Sequence, residues 1–370
     1  MGKRHRIAVI GCGDMGSAHV RGFAKLENCE VVATVDPDPN ALRRYGVEWY
    51  ESGPPHFLDT QTMLRSVKPD ACVIAVPDRL HRPVAEMALE AGCDIFLEKP
   101  VATSIEDCDA ILAAAKQAGR ILQIGLVYRY ATLYRRMTEL AHLKKAPALF
   151  MWCKELRQPF PQKPWFYSQE ATGGTIVEKD CHHFDIFNWM IGSPPVRVVA
   201  RGGQHVLKSG TLVTCDYCPD PPRVIEQIDT VDHAMVIVEY ANGARAALLL
   251  CMYLQPHNVM PEGLEIGALF ADGSQMCAYR DTRLGCGGAG EPWREEVIDP
   301  VLDSEGLGHI GCQRQRREFL RCLETREEPA ANGAVGRSSL VVALAAERSI
   351  RENRVVELTE FAKEGSHATA

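Results

Sequence analysis

The sequence has no long apolar run, no internal repeat and no low-complexity segment. Its apolar stretches fall short of the ~18 residues that a membrane-spanning helix requires. The basic start, Met1–Arg6, leads into a strand-like run rather than the apolar core of a signal peptide. Arg6 stands where a myristoylation motif requires serine or threonine. These absences predict a cytoplasmic protein with no membrane partner.

Neither sign of charge is in large excess, because acidic residues only slightly outnumber basic ones. The chain carries 41 basic and 48 acidic residues, a net charge of −7, and its pI is about 6.0. This balance gives no basic surface for nucleic acid, so we expect no such partner. Hydrophobic residues make up 46% of the 370 residues, which is typical of a globular protein, and the length favours two domains.

Cysteine is plentiful, but closely spaced cysteines are rare. The 14 cysteines are scattered singly, and Cys72 and Cys251 lie in apolar runs, as reduced and buried thiols do. The one tight pair, Cys215 and Cys218, has neither a second pair nor a matching histidine spacing. We interpret it as two thiols in a proline-rich loop and predict no metal site.

Strand and helix patterns alternate through the first third of the chain. Short β-branched runs are separated by segments with helical spacing. The runs cover residues 6–11, 30–36, 71–77, 94–100 and 121–126. Parallel strands joined by right-handed helical crossovers produce this rhythm, so it predicts a doubly wound α/β sheet.

The rhythm changes after about residue 130. A helical segment precedes long β-rich runs, and Asn242-Gly243 and Asp272-Gly273 are strong hairpin signals. The glycine-rich stretch 281–293 favours a loop, and the end of the chain has two helical segments. We therefore predict a dinucleotide-binding domain at 1–127 and a mostly antiparallel α+β domain at 128–370. Whether the C-terminal helices pack back on the first domain stays open.

A GxGxxG motif follows the first strand and opens the first helix. Its first glycine permits a tight turn, its second lets a pyrophosphate approach the backbone, and its third lets helix and strand pack closely. The helix N-terminus adds free N–H groups for phosphate. The predicted cofactor-binding turn consists of Gly11, Cys12, Gly13, Asp14, Met15 and Gly16.

Asp36 ends the second strand, where a carboxylate can accept hydrogen bonds from both ribose hydroxyls. The same carboxylate repels a 2′-phosphate, so NAD is favoured over NADP. Arg43 and Arg44 follow closely and keep NADP as the alternative, because an arginine can neutralise that phosphate.

Four motifs together resemble the family of glucose–fructose oxidoreductase, inositol dehydrogenase and the rhizopine-catabolism protein MocA. They are the glycine turn, AVPDRLH at 75–81, EKP at 98–100, and GG-x₃-acid-x₃-H-x₂-D at 173–185. The resemblance implies a Rossmann domain followed by an open, mostly antiparallel sheet that forms a homodimer or homotetramer. It also implies NAD(P)-dependent oxidation or reduction at a secondary hydroxyl or carbonyl of a sugar or cyclitol.

The resemblance also assigns residues. Lys99 matches the catalytic lysine, followed by Pro100, which commonly has a cis peptide bond; His182 matches the catalytic histidine and Asp185 the aspartate after it. Inositol dehydrogenases carry aspartate where Glu178 stands, so the substrate is less firmly implied than the reaction. The motifs extend the cofactor site to Ala75, Val76, Pro77, His81, Glu98 and Lys99.

Helical spacing places Glu178, His182 and Asp185 on one face. The two carboxylates could orient His182 and raise its pKa. His183 points about 100° away, toward large apolar residues, and is interpreted as a core histidine. The alternative for the first face is a solvated helix edge.

Two further residues are weaker candidates for the substrate site. Arg129 follows the last strand of the first domain, and Trp165 precedes a glycine pair. Their alternatives are a domain linker and core packing. The full predicted substrate site is Lys99, Arg129, Trp165, Glu178, His182 and Asp185.

Three hypotheses about function follow. The leading one is an NAD-dependent dehydrogenase that oxidises a sugar or cyclitol to a ketone or lactone, with catalytic residues Lys99, Glu178 and His182. The second is an epimerase, lyase or glycosidase that retains NAD and oxidises its substrate transiently. The third is a dinucleotide-binding regulator without catalysis.

Overall fold

The computed structural model describes residues 4–44, 53–215, 220–254, 264–279, 282–299 and 310–364. The described residues form two compact units. The first draws on Met1–Val127 and Asp303–Arg337, and the second on Tyr128–Leu302 and Ser338–Ala370. A segment from the end of the chain thus belongs to the first unit.

The first unit contains a parallel sheet of six strands within the described ranges, in the order β3-β2-β1-β4-β5-β6. This order confirms the predicted doubly wound Rossmann sheet. The strands are β1 (His5–Ile10), β2 (Cys29–Val35), β3 (His56–Phe57), β4 (Ala71–Ile74), β5 (Asp94–Leu97) and β6 (Leu122–Ile124). The two-residue β3 is too short to leave a periodic signal in the sequence.

Helices flank this sheet, and two of them begin at side-chain caps. Asp59 accepts the backbone N–H of Thr62 at 2.8 Å, and Ser104 accepts that of Asp107 at 3.1 Å. The helices are α1 (Asp14–Ala24), α2 (Ala41–Arg44), α3 (Thr60–Val67), α4 (His81–Glu90), α5 (Ile105–Ala118) and α9 (Cys312–Thr325). The returning α9 packs Phe319 edge-on to Phe96 of β5, at 5.6 Å between ring centroids.

The second unit contains a mixed sheet of nine described strands, in the order β16-β15-β14-β13-β7-β12-β11-β8-β17. Neighbouring strands run antiparallel except for β7 and β12, so the predicted mostly antiparallel sheet is confirmed. These strands are β7 (Ala148–Leu156), β8 (Pro195–Gly203), β11 (His233–Tyr240), β12 (Arg245–Cys251), β13 (Leu264–Phe270), β14 (Gln275–Tyr279), β15 (Arg283–Gly288), β16 (Glu291–Val297) and β17 (Val356–Glu357). A separate ribbon pairs β9 (Thr211–Val213) with β10 (Arg223–Ile225).

The helices of the second unit pack on one side of the sheet, where α8 contacts β7 and α6 contacts β14. They are α6 (Thr132–Leu143), α7 (Gln169–Thr172), α8 (Thr175–Ile191), α10 (Gly333–Glu352), which begins in the first unit, and α11 (Thr359–Glu364). The other face of the sheet leaves several large apolar side chains exposed: Phe150, Met235, Ile237, Leu249 and Leu269.

Both hairpins predicted from Asn-Gly and Asp-Gly are confirmed, since Gly243 and Gly273 take positive φ between antiparallel strands. The loop predicted at 281–293 is wrong. Residues 283–297 form the β15–β16 hairpin, whose turn uses Gly288 and Gly290 at φ 91°. The glycines in β15 make room for Trp293, because a Cβ on Gly285 would lie 1.9 Å from its indole.

Every cysteine in the described ranges is a free thiol, and Cys215 is buried. Cys218 lies outside the described residues. Within those residues, none of the helices combines the length and apolar character needed to cross a membrane.

Candidate active site

The glycine turn after β1 is shaped so that only glycine fits at two of its positions. Gly11 has a φ of +85°, and a Cβ there would lie 2.4 Å from the carbonyl oxygen of Ala75. A Cβ on Gly16 would lie 1.8 Å from the carbonyl oxygen of Gly11. Helix α1 begins at Asp14 directly after Gly13. The turn therefore has the close backbone packing and the helix N-terminus that a pyrophosphate requires.

The Asp36 carboxylate, at the end of β2, is held against this turn. Its Oδ2 accepts the backbone N–H of Cys12 at 2.8 Å, and its Oδ1 accepts that of Asp38 at 2.9 Å. The Cys12 thiol is buried, and burial raises its pKa to about 12, so Cys12 contributes its backbone rather than a reactive thiol. Arg44, one of the two arginines that kept NADP as the alternative cofactor, pairs with Asp38 at 2.6 Å.

His81 connects the two loops that follow β4 and β5. Its Nδ1 lies 2.8 Å from the carbonyl oxygen of Pro100, and its Nε2 lies 3.1 Å from that of Val76. Burial lowers the pKa of this histidine, although the carbonyl contacts oppose the shift. His81 thus ties the segment around Ala75 and Pro77 to the EKP motif, a structural role that the motif match alone does not reveal.

Lys99 follows β5 and is half-buried. The Lys99–Pro100 peptide bond is cis, as the resemblance implies. Glu98 is buried, and its Oε1 lies 2.7 Å from Nε2 of His19. Loops at the carboxyl ends of parallel strands form the ligand crevice of such a sheet, which is where Lys99 stands.

In the second unit, α8 begins at a glycine pair that accommodates a buried carboxylate. Gly173 and Gly174 have φ values of 77° and 113°, and a Cβ on Gly174 would lie 2.3 Å from Oε1 of Glu347. That oxygen accepts the backbone N–H of Ile176 at 2.9 Å, so Glu347 of α10 caps α8. Burial raises the pKa of Glu347 to about 7. Only the glycine pair signals this contact in the sequence.

Glu178 and His182 are both buried, with 6% and 8% of their surfaces exposed. They lie one turn apart on α8, and the His182 ring lies 4.7 Å from that of Tyr128. The alternative of a solvated helix edge is therefore wrong. Two titratable side chains share one face that is shielded from bulk water.

Asp185, the third residue of the predicted face, is held by Arg129. Nε and a terminal nitrogen of Arg129 donate to its two oxygens at 2.7 and 2.8 Å, and both side chains are largely buried. Burial raises the pKa of Asp185, and Arg129 opposes that shift. The structure thus joins two predicted substrate-binding residues to each other. Their contact with substrate stays a prediction.

His183 lies in a buried ionic cluster. Its Nδ1 lies 2.8 Å from Oδ1 of Asp180, and its Nε2 lies 3.5 Å from Oε2 of Glu155. Burial by itself would raise the pKa of Glu155, but Lys179, His183 and Arg157 outweigh it and lower the pKa to about 2. His183 is therefore a core histidine with polar partners. The sequence pattern gave no sign of this cluster.

Trp165 lies in a 3₁₀ turn and is half-buried, with its ring 3.8 Å from that of Phe166.

Elsewhere in the second unit, His205, Asp232 and His233 bring possible metal ligands within 4.8 Å of one another. Asp232 already accepts three backbone N–H groups on one oxygen and contacts His233 at 2.7 Å with the other. We therefore assign Asp232 to fixing a loop.

The fold and the glycine turn define a nucleotide-binding protein of the Rossmann class with a second, sheet-based domain. Residues 5–126 match the model of an oxidoreductase family with an NAD-binding Rossmann fold, and residues 148–268 match the GFO/IDH/MocA C-terminal domain. The chain belongs to this GFO/IDH/MocA oxidoreductase family, which confirms the resemblance found in its motifs.

Three known proteins illustrate the relationship. Myo-inositol 2-dehydrogenase of Thermotoga maritima is 22% identical over 96% of this chain and 99% of its own. GenD2 from gentamicin A biosynthesis, solved with NAD, is 20% identical with a TM-score of 0.78, over 96% of this chain and 97% of that one. Scyllo-inositol dehydrogenase of Lactobacillus casei, solved with NAD(H) and scyllo-inositol, is 16% identical with a TM-score of 0.75. The match covers 96% of this chain and 100% of that one. The likeness to these two solved structures shows the fold.

Proposed function

We propose that this protein is an NAD-dependent dehydrogenase that oxidises a secondary hydroxyl of a sugar or cyclitol to a ketone or lactone. The observation that carries the proposal is the burial of Glu178 and His182 together on one face of α8. Burying two titratable side chains costs free energy, so finding both of them on one buried helix face favours a functional role for the pair. Family membership and the inositol dehydrogenases among the relatives support the reaction type and the substrate class.

The cofactor residues fit NAD. The close packing at Gly11 and Gly16 leaves backbone in place of side chains where a pyrophosphate lies in such turns. Asp36 is fixed by two backbone N–H groups and presents a carboxylate to the ribose, while Asp38 engages Arg44. A fixed negative charge at this position favours NAD over NADP. Bound NAD would supply the acceptor for the hydride of the carbinol carbon.

The protein's own residues move the proton and stabilise charge. His182 removes the hydroxyl proton as general base, and Glu178, one turn earlier, orients its ring. The Lys99 ammonium polarises the substrate oxygen as negative charge develops. Arg129 and Asp185 fix the chain beside His182, and the Trp165 ring covers the substrate.

The test is a panel of polyols, aldoses and glycosides with NAD and with NADP, read at the NADH absorbance band. We expect turnover with NAD on at least one cyclitol or sugar. Lys99→Met should lower kcat by roughly two orders of magnitude, because the developing alkoxide loses its nearest cation. NAD affinity should change little, because the glycine turn holds the phosphates.

Some outcomes would overturn the proposal. A Lys99→Met protein within about tenfold of wild-type turnover would contradict the role of the lysine. NADH that stays bound through purification and is not exchanged would favour the retained-cofactor reaction. Cofactor binding without turnover on the whole panel would favour the regulator.

We also propose that the open sheet face forms a homodimer or homotetramer. Met235 pairs with Leu249, and Leu269 pairs with Phe150, so these side chains share one face as an apolar patch. Light scattering should give a dimer or tetramer for the wild type. Met235→Glu should lower the mass, and a monomeric wild type would contradict the proposal.

A further inference from the structure

A buried line of polar side chains runs through the first unit to the residue before Lys99. Arg316 of α9 donates from Nε to Nδ1 of His19 on α1, at 3.2 Å. Nε2 of His19 lies 2.7 Å from Oε1 of Glu98. Oε2 of Glu98 accepts the backbone N–H of Lys99 at 3.3 Å. Arg316 is 0% exposed and His19 2%, so water does not compete for these contacts.

The donor and acceptor of each hydrogen bond in this line follow from the chemistry of the arginine and the carboxylate at its ends. A guanidinium only donates, so Nδ1 of His19 must be the acceptor and the ring proton must be on Nε2. Nε2 then donates to Glu98. Burial lowers the pKa of His19 and keeps its ring neutral. Burial opposes the charge on Glu98, but the contacts with His19 and Lys99 together outweigh it and lower the pKa of that carboxyl.

Space for this line is reserved by glycine at two places. A Cβ on Gly22 would lie 2.4 Å from the guanidinium carbon of Arg316, and a Cβ on Gly125 would lie 2.5 Å from Oε2 of Glu98. Gln313 holds the far end, since its Oε1 accepts from Arg316 at 3.0 Å. Arg316 lies 297 residues from His19 in the chain. The dinucleotide turn does not require a buried arginine at this place.

The residue after Lys99 is also held. His81 contacts the carbonyl oxygen of Pro100 at 2.8 Å, as described above. Lys99 is thus the half-buried residue between two anchored neighbours, Glu98 and Pro100. The charges of Glu98 and Lys99 also interact, because the ammonium is among the groups that lower the pKa of Glu98.

We propose that His19 and Arg316 are positioning residues that act through Glu98 to hold Lys99 and to keep its ammonium group protonated. The catalytic consequence rests on the proposed function of Lys99. An ionised Glu98 favours the charged lysine. Loss of the His19 bond would leave a buried carboxyl that takes up a proton, and the pKa of Lys99 would then fall.

The test compares His19→Leu, which removes both bonds, with His19→Gln, whose amide can donate to Glu98 and accept from Arg316. His5→Leu is the matched control, since His5 is a buried histidine of the same unit outside this line. We expect His19→Leu to lower kcat by roughly 10- to 100-fold, as misplacement of a reacting group does, with NAD affinity within about threefold. His19→Gln should restore most of kcat.

A second readout does not depend on turnover. Acetylation of Lys99 by acetic anhydride, followed by mass spectrometry across a pH series, reports the pKa of its ammonium group. The pH of half-maximal labelling should fall in His19→Leu, and should stay at the wild-type value in His19→Gln and His5→Leu. Glu98→Gln removes the charge with little change of shape and should lower it too, which keeps the test decisive if His19→Leu does not fold.

These outcomes separate the two proposals. If the pH of half-maximal labelling shifts as expected in a protein that oxidises no polyol, the positioning role of His19 and Arg316 is upheld and the proposed function is refuted. Labelling of Lys99 that is unchanged in Glu98→Gln and His19→Leu would overturn the positioning line, whatever the activity. Equal loss of kcat in His19→Leu and His19→Gln, with wild-type labelling, would also overturn it.

Discussion

Arg129→Met should destabilise the second unit strongly. Arg129 makes two hydrogen bonds to Asp185 at 2.7 and 2.8 Å, and both side chains are largely buried. Removing one partner of a buried pair leaves the other charge uncompensated, which costs about 3–5 kcal/mol. Asp185→Leu should be similarly harmful. The double variant Arg129→Met/Asp185→Leu removes both charges and should recover most of the loss.

Urea unfolding followed by tryptophan fluorescence suits this experiment. Trp189 lies under the Arg129 guanidinium at 4.9 Å, so its emission reports on the pair directly. The matched control is Arg197→Met, which breaks an ion pair with Glu357 in the same unit; those side chains are 47% and 48% exposed. Exposed pairs contribute about 0–1 kcal/mol, so the control midpoint should move little.

The loss should also depend on pH. Burial raises the pKa of Asp185, and Arg129 opposes the shift, so the variant has a higher carboxyl pKa than the wild type. A carboxyl whose pKa is raised on folding gives stability that disappears as pH rises through that pKa. The deficit of Arg129→Met should therefore grow from acid to neutral pH.

Two results would refute this reasoning. Arg129→Met could lose no more stability than Arg197→Met, or the double variant could be no more stable than the single ones. The double variant also tests the predicted substrate contact of Asp185. If its stability recovers while KM stays raised, Asp185 or Arg129 touches substrate; if KM recovers too, the pair only positions its neighbours.

Three further predictions concern the cofactor carboxylate, the paired histidines of α8 and the buried glutamate that caps this helix. Asp36→Ser should narrow the preference for NAD over NADP by roughly one to two orders of magnitude in kcat/KM, on the scale of charged hydrogen bonds; a wild type that prefers NADP would contradict it. His182→Ala should lower kcat by roughly 10²–10⁴-fold in a folded protein, whereas His183→Ala should mainly lower Tm; the reverse pattern would refute the assignment. Because burial raises the pKa of Glu347 to about 7, wild-type Tm should fall as pH rises from about 4.5 toward 7, and Glu347→Gln should flatten that fall; parallel Tm curves would count against it.

Local signals were sufficient for much of the architecture. Alternating strand and helix patterns predicted the parallel sheet, and Asn242-Gly243 and Asp272-Gly273 predicted hairpins that the structure contains. The loop predicted at 281–293 was wrong because glycine is normally a loop signal, whereas residues 283–297 form a hairpin. In β15 glycine instead makes room for Trp293, a contact that depends on the pairing of two strands.

The sequence by itself determined the family, the dinucleotide turn at Gly11–Gly16 and the identities of Lys99 and His182 as candidates. The glycine turn follows from its own spacing, and Lys99 and His182 follow from the family resemblance, which depends on motifs whose residues lie close together in the chain. Tertiary structure decided the partners: Arg129 for Asp185, Glu347 for the start of α8, and Arg316 for His19. Those pairs join distant segments, and burial decides which charges need a partner. No local pattern can encode either.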